Sequence, residues 1–218
     1  MLSLLVPLVL HSPYTPKAGD AAFLYTHVVK REKFDSFVTE GFKGINRLEN
    51  RLNPQNEAYQ LEDASSWRVM GVVFTPKHEN EESMRQKDEV KQELARLGTL
   101  RNAPLKVDRC FLDAIDFSAR RPKIGDVVYV YIHTAKPGMF ETLRRSFDVK
   151  VPARFKNGYP RFTIADPSKR RLLTYVFYPN QESADKIHRS PERGRIIAST
   201  GQYRSSYTVE RFVLAGTR

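Results

Sequence analysis

Cysteine is nearly missing from this sequence: Cys110 is the only one. A single thiol excludes an internal disulfide framework and a cysteine-rich zinc site. Cys110 stands in VDRCFLDAI, a segment of strand character, where a lone cysteine is expected as a small buried apolar residue. No run approaches the roughly 20 apolar residues of a spanning helix. The most apolar stretch, Leu2–Leu10, is short and interrupted by Pro7. Neither GxGxxG nor GxxxxGKS/T occurs, which removes the usual phosphate-cradling loops. The five histidines show no metal-ligand spacing, so no metal and no cofactor are expected.

What is present is length enough for one large domain or two small ones, and a lopsided charge. The 218 residues include 40% hydrophobic ones, sufficient for a packed core. Residues 1–100 carry 13 Lys/Arg against 14 Asp/Glu, whereas residues 101–218 carry 23 against 11. The second half is therefore the face expected to meet an anionic partner, either a lipid surface or rRNA. Its basic residues cluster in connections: Arg144, Arg145, Lys150, Arg154 and Lys156 in one; Lys169, Arg170 and Arg171 in another; Arg189, Arg193 and Arg195 near a third. No RNA-recognition signature lies on a strand.

The chain repeats itself. Phe23–Phe34 (FLYTHVVKREKF) aligns without a gap on Tyr129–Phe140 (YVYIHTAKPGMF), matching Tyr25 with Tyr131, His27 with His133, Lys30 with Lys136 and Phe34 with Phe140. RVMGVVFTP at 68–76 aligns likewise on RLLTYVFYP at 171–179. Hydrophobic periodicity predicts strands at 21–29, 59–62, 67–75 and 107–117, with helices at 30–52 and 79–97. The order βαββαβ then recurs: strands at 126–134, 159–165, 170–178 and 205–214, with helices at 138–148 and 182–188. Ser190-Pro191 reads as the stop of the last helix. The predicted organisation is an N-terminal arm (1–20), a first repeat (21–118), a linker (119–125) and a second, basic repeat (126–218). The arm fits neither a secretory signal nor a mitochondrial presequence. Its Leu2, Leu4, Leu5, Leu8 and Leu10 are expected to lie on a partner or a membrane surface.

Two βαββαβ units with a Lys136-Pro137-Gly138 turn after the first strand of the second unit resemble the dimeric α/β-barrel superfamily. The tandem form is similar to the NIPSNAP proteins and to antibiotic-biosynthesis-type monooxygenases. The resemblance implies an α+β fold, in which tandem duplicated ferredoxin-like units close a barrel within one chain. The second helix of such proteins often carries Ala-x-x-His-x-x-Ser-Pro. Here Ile187 stands at the histidine position and His188 falls one residue late, so no catalytic role is transferred.

Side chains alternate along a strand, and the first strands are read with Leu24, Thr26, Val28, Val128, Val130 and Ile132 toward the helices. Tyr25, His27, Tyr131 and His133 would then line a shared barrel interior, either a pocket for a planar ligand or a filled core. The degraded motif, the apolar arm, the basic half and the lack of a catalytic set point to a non-catalytic accessory subunit. Its partners would be the other proteins of a mitochondrial assembly, either a respiratory-type membrane complex or a ribosome, with mitochondria implied by the NIPSNAP resemblance. The alternatives are a monooxygenase-type or haem-binding enzyme using the Tyr/His interior, and an RNA-binding protein.

Overall fold

The computed structural model describes residues 14–150 and 158–217. Eight strands are present among them: β1 (Ala21–Val28), β2 (Glu57–Asp63), β3 (Arg68–Thr75), β4 (Lys106–Asp116), β5 (Val127–Ala135), β6 (Arg161–Asp166), β7 (Arg171–Tyr178) and β8 (Arg204–Thr217). They close one antiparallel barrel in the order β1-β3-β2-β8-β5-β7-β6-β4. Each half contributes a ferredoxin-like sheet, β4-β1-β3-β2 or β8-β5-β7-β6, and the halves join edge to edge through β2·β8 and β4·β6. The outer face carries α1 (Phe42–Leu52), α2 (His78–Arg85), α3 (Asp88–Gly98), α4 (Phe140–Lys150), α5 (Gln181–His188) and α6 (Pro191–Thr200). The fold is α+β, a pseudo-dimer of duplicated βαββαβ units. The strands are rich in β-branched and aromatic residues, which suit a pleated surface. VVYVYIHTA of β5 is apolar nearly throughout because barrel and helices cover its two faces.

The duplication extends to the register. Ala21 lies opposite Thr75 and Phe111, and Val127 opposite Tyr178 and Val213. Tyr25 and His27 face Gly71 and Val69, as Tyr131 and His133 face Thr174 and Leu172. Even the bulges correspond: one ladder skips Asp113 between Leu112 and Ala114, the other skips Ala215 between Leu214 and Gly216. A matching turn enters each first strand. Pro16-Lys17-Ala18-Gly19-Asp20 and Pro122-Lys123-Ile124-Gly125-Asp126 both place glycine at positive φ, +95° and +93°. In both, the aspartate accepts a 2.9 Å hydrogen bond from the lysine N–H. The first repeat thus begins at Pro16 instead of Ala21, and the end of the presumed linker belongs to the second repeat.

Other boundaries differ from the sequence reading. Tyr14 packs on the barrel core and donates to Asp20 at 2.6 Å, so this end of the arm rests on its own barrel. Leu2, Leu4, Leu5, Leu8, Leu10, Arg154, Lys156 and the side chain of Lys150 lie outside the described part. The first helix is not continuous: a 3-10 turn (Arg31–Lys33), an α turn (Phe34–Ser36) and a π turn (Phe37–Gly41) precede α1. Within it the Thr39 hydroxyl bonds back to the Asp35 carbonyl at 2.7 Å, a contact that perturbs regular helix. The stretch 79–97 is two helices, broken where Lys87 is extended (φ −65°, ψ 136°). Ser190-Pro191 ends one helix and also starts another. Ser190 Oγ accepts from the Arg193 N–H at 3.2 Å, with Pro191 in the first turn, a standard N-terminal arrangement.

All eight strands feed the barrel core, which includes Leu24, Leu61, Phe74, Cys110, Val130, Phe162, Tyr175 and Phe212. Cys110 is fully buried there, and burial pushes its thiol up to about 12. Two duplicated arginines then stitch the halves together. Arg171 of β7 reaches Asp166 of its own half at 2.7 Å and Asp108 of the other at 2.9 Å. Arg68 of β3 reaches Asp63 at 3.4 Å and, across the halves, Glu210 at 3.1 Å. Removing one partner of a buried ion pair costs about 3–5 kcal/mol. Urea unfolding should show a loss of that size for Arg171→Met, since Asp166 is only 1% exposed. Arg68→Met should cost less, because Asp63 and Glu210 are 15% and 27% exposed. Equal, small losses would mean the bridges do not hold the halves.

Candidate functional site

The tyrosine–histidine row faces the helices and not the barrel interior. His27 packs on Phe37 at 5.0 Å and His133 on Phe147 of α4 at 4.6 Å. Tyr131 clusters with Ala184 and Ile187 of α5. Leu24, Val128 and Val130, expected toward the helices, are in the barrel core. The physical reason is hydrogen-bond supply. The closed interior is aliphatic and aromatic, whereas the helices offer partners for polar tips. Tyr25 donates to Glu81 of α2. Tyr129 donates to Asp185 at 3.0 Å and accepts from Gln181 at 2.8 Å. The hydroxyls of Tyr131 and Tyr178 meet at 3.1 Å.

The four residues therefore line two separate sheet–helix clefts, one per half, and the clefts are unequal. That of the first half, with Tyr25 and His27, holds about 40 Å³. Buried Glu49 and Glu81 occupy it, with Met84, Val90 and Leu97. Its helices approach closely: a Cβ on Gly41 would meet Leu97 at 2.7 Å, and one on Gly44 would meet Glu93 at 2.0 Å. Gln60 closes the end beside β8 by reaching the Val38 carbonyl at 3.4 Å. The cleft of the second half holds about 200 Å³ between β4–β8 and the helices α4, α5 and α6.

One end of it is aromatic and cationic. The Arg193 guanidinium lies 4.9 Å over the Tyr131 ring and 5.7 Å over Tyr207, and it donates to the Tyr207 hydroxyl and, at 2.8 Å, to the His188 carbonyl. Arg204 lies 5.0 Å over Tyr207, donates to the Ile197 carbonyl near the end of α6, and stands 3.4 Å from His133 Nδ1. Arginine can only donate, so Nδ1 accepts and Nε2 carries the proton. Burial, then Arg204 and Arg193, lower His133 to about 3, and it is neutral at ordinary pH. His27 has the same value from burial and Arg101. Burial raises Tyr207 to about 12 and raises Tyr131 and Tyr178, leaving all three protonated. His188 Nδ1 and Arg204 Nε are buried with no hydrogen-bond partner among the described residues.

Sequence reasoning placed Arg193 in a basic loop and not in a cleft, because α6 was missed. The signal was present as the Ser190-Pro191-Glu192 helix start. Of the residues assigned to an anionic partner, three already bind carboxylates of the same chain: Arg144 with Asp113, Lys169 with Asp108, and Arg171 with Asp108 and Asp166. Arg145 and Arg170 face solvent. Among the described residues no group of three His, Cys, Asp or Glu side chains could hold a metal.

No family model matches the sequence, and comparison with curated proteins finds no match. Solved structures do match. A monooxygenase candidate from Fusobacterium nucleatum superposes with a TM-score of 0.73 at 10% identity, over 93% of this chain and 95% of its own. One from Lactobacillus acidophilus gives 0.70 at 10% identity, over 91% and 95%. An anthrone oxidase-like protein gives 0.64 at 9% identity, over 93% and 94%. At these identities the likeness establishes the fold alone, a dimeric α/β barrel. It also overturns the accessory-subunit reading. Neighbours matched over nearly their full length carry monooxygenase and oxidase names, and the described residues line a cleft that the sequence reading had not located.

The two buried histidines set an acid limit on stability. Each has a folded pKa near 3 against an ordinary 6.5, so the folded state binds fewer protons between those values. Their contribution is full above about 6.5 and is lost as pH falls through the window, at up to about 1.4 kcal/mol per pH unit per histidine. Denaturation midpoints measured from pH 7 to 5 should fall, and His133→Gln should flatten the slope. Parallel curves for the two proteins would refute this.

Proposed function

We propose that the chain uses molecular oxygen to oxidise a small planar phenol bound in the second-half cleft. The observation that carries this reading is Arg193, laid over Tyr131 at the aromatic end of a cavity of about 200 Å³. An apolar cavity of about 150 Å³ holds benzene, so one ring or two fused rings suit this space. The names of the structural neighbours, monooxygenase candidates and an anthrone oxidase-like protein, agree with the reading.

Ionising a phenol in an apolar site needs a preorganised positive charge. Arg193 has five N–H donors and spends only part of them on His188 and Tyr207. A guanidinium held between aromatic walls of low dielectric stabilises a phenolate far better than it would in water. His133, neutral and donating through Nε2, can add a hydrogen bond to the same oxygen. The phenol proton leaves to solvent at the mouth. The reaction then balances without a reductant. The ring C–H opposite the hydroxyl becomes C=O with one atom of O2, and the other atom leaves as water with the ring and hydroxyl hydrogens. The substrate supplies all the electrons and becomes a quinone.

Haem, the cofactor of the other enzymatic alternative, does not fit these residues. Drug-sized ligands already occupy clefts of about 300–1,000 Å³, and a porphyrin needs at least as much. His133 is wedged between Phe147 and Tyr207 with Nδ1 taken by Arg204, beside a second cation.

With 1-naphthol and oxygen, the protein should form 1,4-naphthoquinone and take up one atom of 18O2 per turnover. Arg193→Met should lower kcat/KM by about 10²–10³, the loss typical of one oxyanion-stabilising donor. Absence of oxygen uptake with 1-naphthol and anthrone, or an unaffected variant, would overturn the proposal.

A further inference from the structure

The second cleft is not a compact chamber. Its lining runs from Tyr207 on β8 past Tyr131 on β5, Val176 on β7 and Thr163 on β6 to Asp113 on β4. Four steps between neighbouring strands span about 19 Å. The last step crosses the seam between the halves, so the far end is walled by the β4 bulge of the first repeat.

Comparison with the first cleft shows why the described residues leave this end open. By register, Gln60 corresponds to Thr163: Gln60 lies opposite Gly71 and Gly216, Thr163 opposite Thr174 and Ala114. The long amide of Gln60 reaches across to the Val38 carbonyl and blocks its cleft. Thr163 is too short to do this and bonds to Thr174 Oγ1 at 3.1 Å, flat against the sheet. The bulge also places Asp113 at this end, held by Arg144 of α4, with the Asp116–Arg161 pair beside it at 3.9 Å. One end thus carries Tyr131, Tyr207 and Arg193, while Val176, Ile187 and Ile196 add aliphatic lining, and the seam end carries Asp113 and Asp116 beside Ala114 and Ile115.

We infer that this cleft is a slot for a phenol bearing an extended chain, with the ring at Arg193, the chain along the aliphatic floor, and a polar chain end at the seam. The inference rests on the proposed phenol site and names its substrate class more narrowly. A cleft drawn out over this length suits one flat ring system and a linear substituent better than a wide polycycle.

The test is binding under nitrogen, where no turnover occurs, followed by ligand fluorescence. The probes are 1-naphthol and 1-naphthol carrying at C2 a six-carbon chain that ends in a hydroxyl. The native protein should bind the chain-bearing probe at least about tenfold more tightly, six buried methylenes being worth more than that. Thr163→Gln, which copies the first half, should abolish this gain while leaving 1-naphthol within about twofold. Thr163→Val, which keeps the opening, should retain the gain and serves as the folding control. Equal affinity of the native protein for both probes, or equal weakening of both by Thr163→Gln, would overturn the slot. Failure of 1-naphthol itself to bind would instead remove the phenol site, and the slot with it.

Discussion

Edge pairing between the halves is the constraint on which the structure depends. Each ferredoxin-like sheet taken by itself has two edge strands, β2 and β4 in one half, β6 and β8 in the other. Exposed edges invite aggregation, and a closed barrel removes them. Closure through β2·β8 and β4·β6 also lets one apolar core draw on both sheets. Arg68 and Arg171 fasten the same junction, each tied to a carboxylate of its own half and one of the other.

Closure decides where chemistry can occur. With the interior filled largely by aliphatic and aromatic side chains, the tips of Tyr25, Tyr129 and Tyr131 find their partners on the outer face, under the helices. Two clefts result, and duplication does not keep them alike. In the first, Gly41 and Gly44 let helices approach, Glu49 and Glu81 fill the space, and Gln60 blocks the end. In the second, Phe147 stands against His133, Thr163 lies flat, and α6 brings Arg193 over the tyrosines. One barrel thus holds a filled cleft and an open one.

Much of the fold was legible in the residues. The Tyr/His and Arg/Val/Phe/Pro echoes predict duplication, and the observed registers repeat accordingly. The echo Pro-Lys-x-Gly-Asp was equally visible and would have placed the start of the first repeat at Pro16. Arg193 was harder to place, because Ser-Pro both ends a helix and starts one.

Which way Tyr25, His27, Tyr131 and His133 point was not legible. A strand covered on both faces shows no contrast of polarity between them, so alternation separates two sets of residues without saying which set is inside. That choice was made by the tertiary structure, through where hydrogen-bond partners exist. The sequence by itself determined two βαββαβ units, their strands and their shared residues, because these follow from local periodicity and internal repetition. The openness of one cleft and the filling of the other came from contacts between residues distant in the chain, such as Gln60 with Val38 and Arg193 with Tyr131. Local pattern carries no record of such contacts.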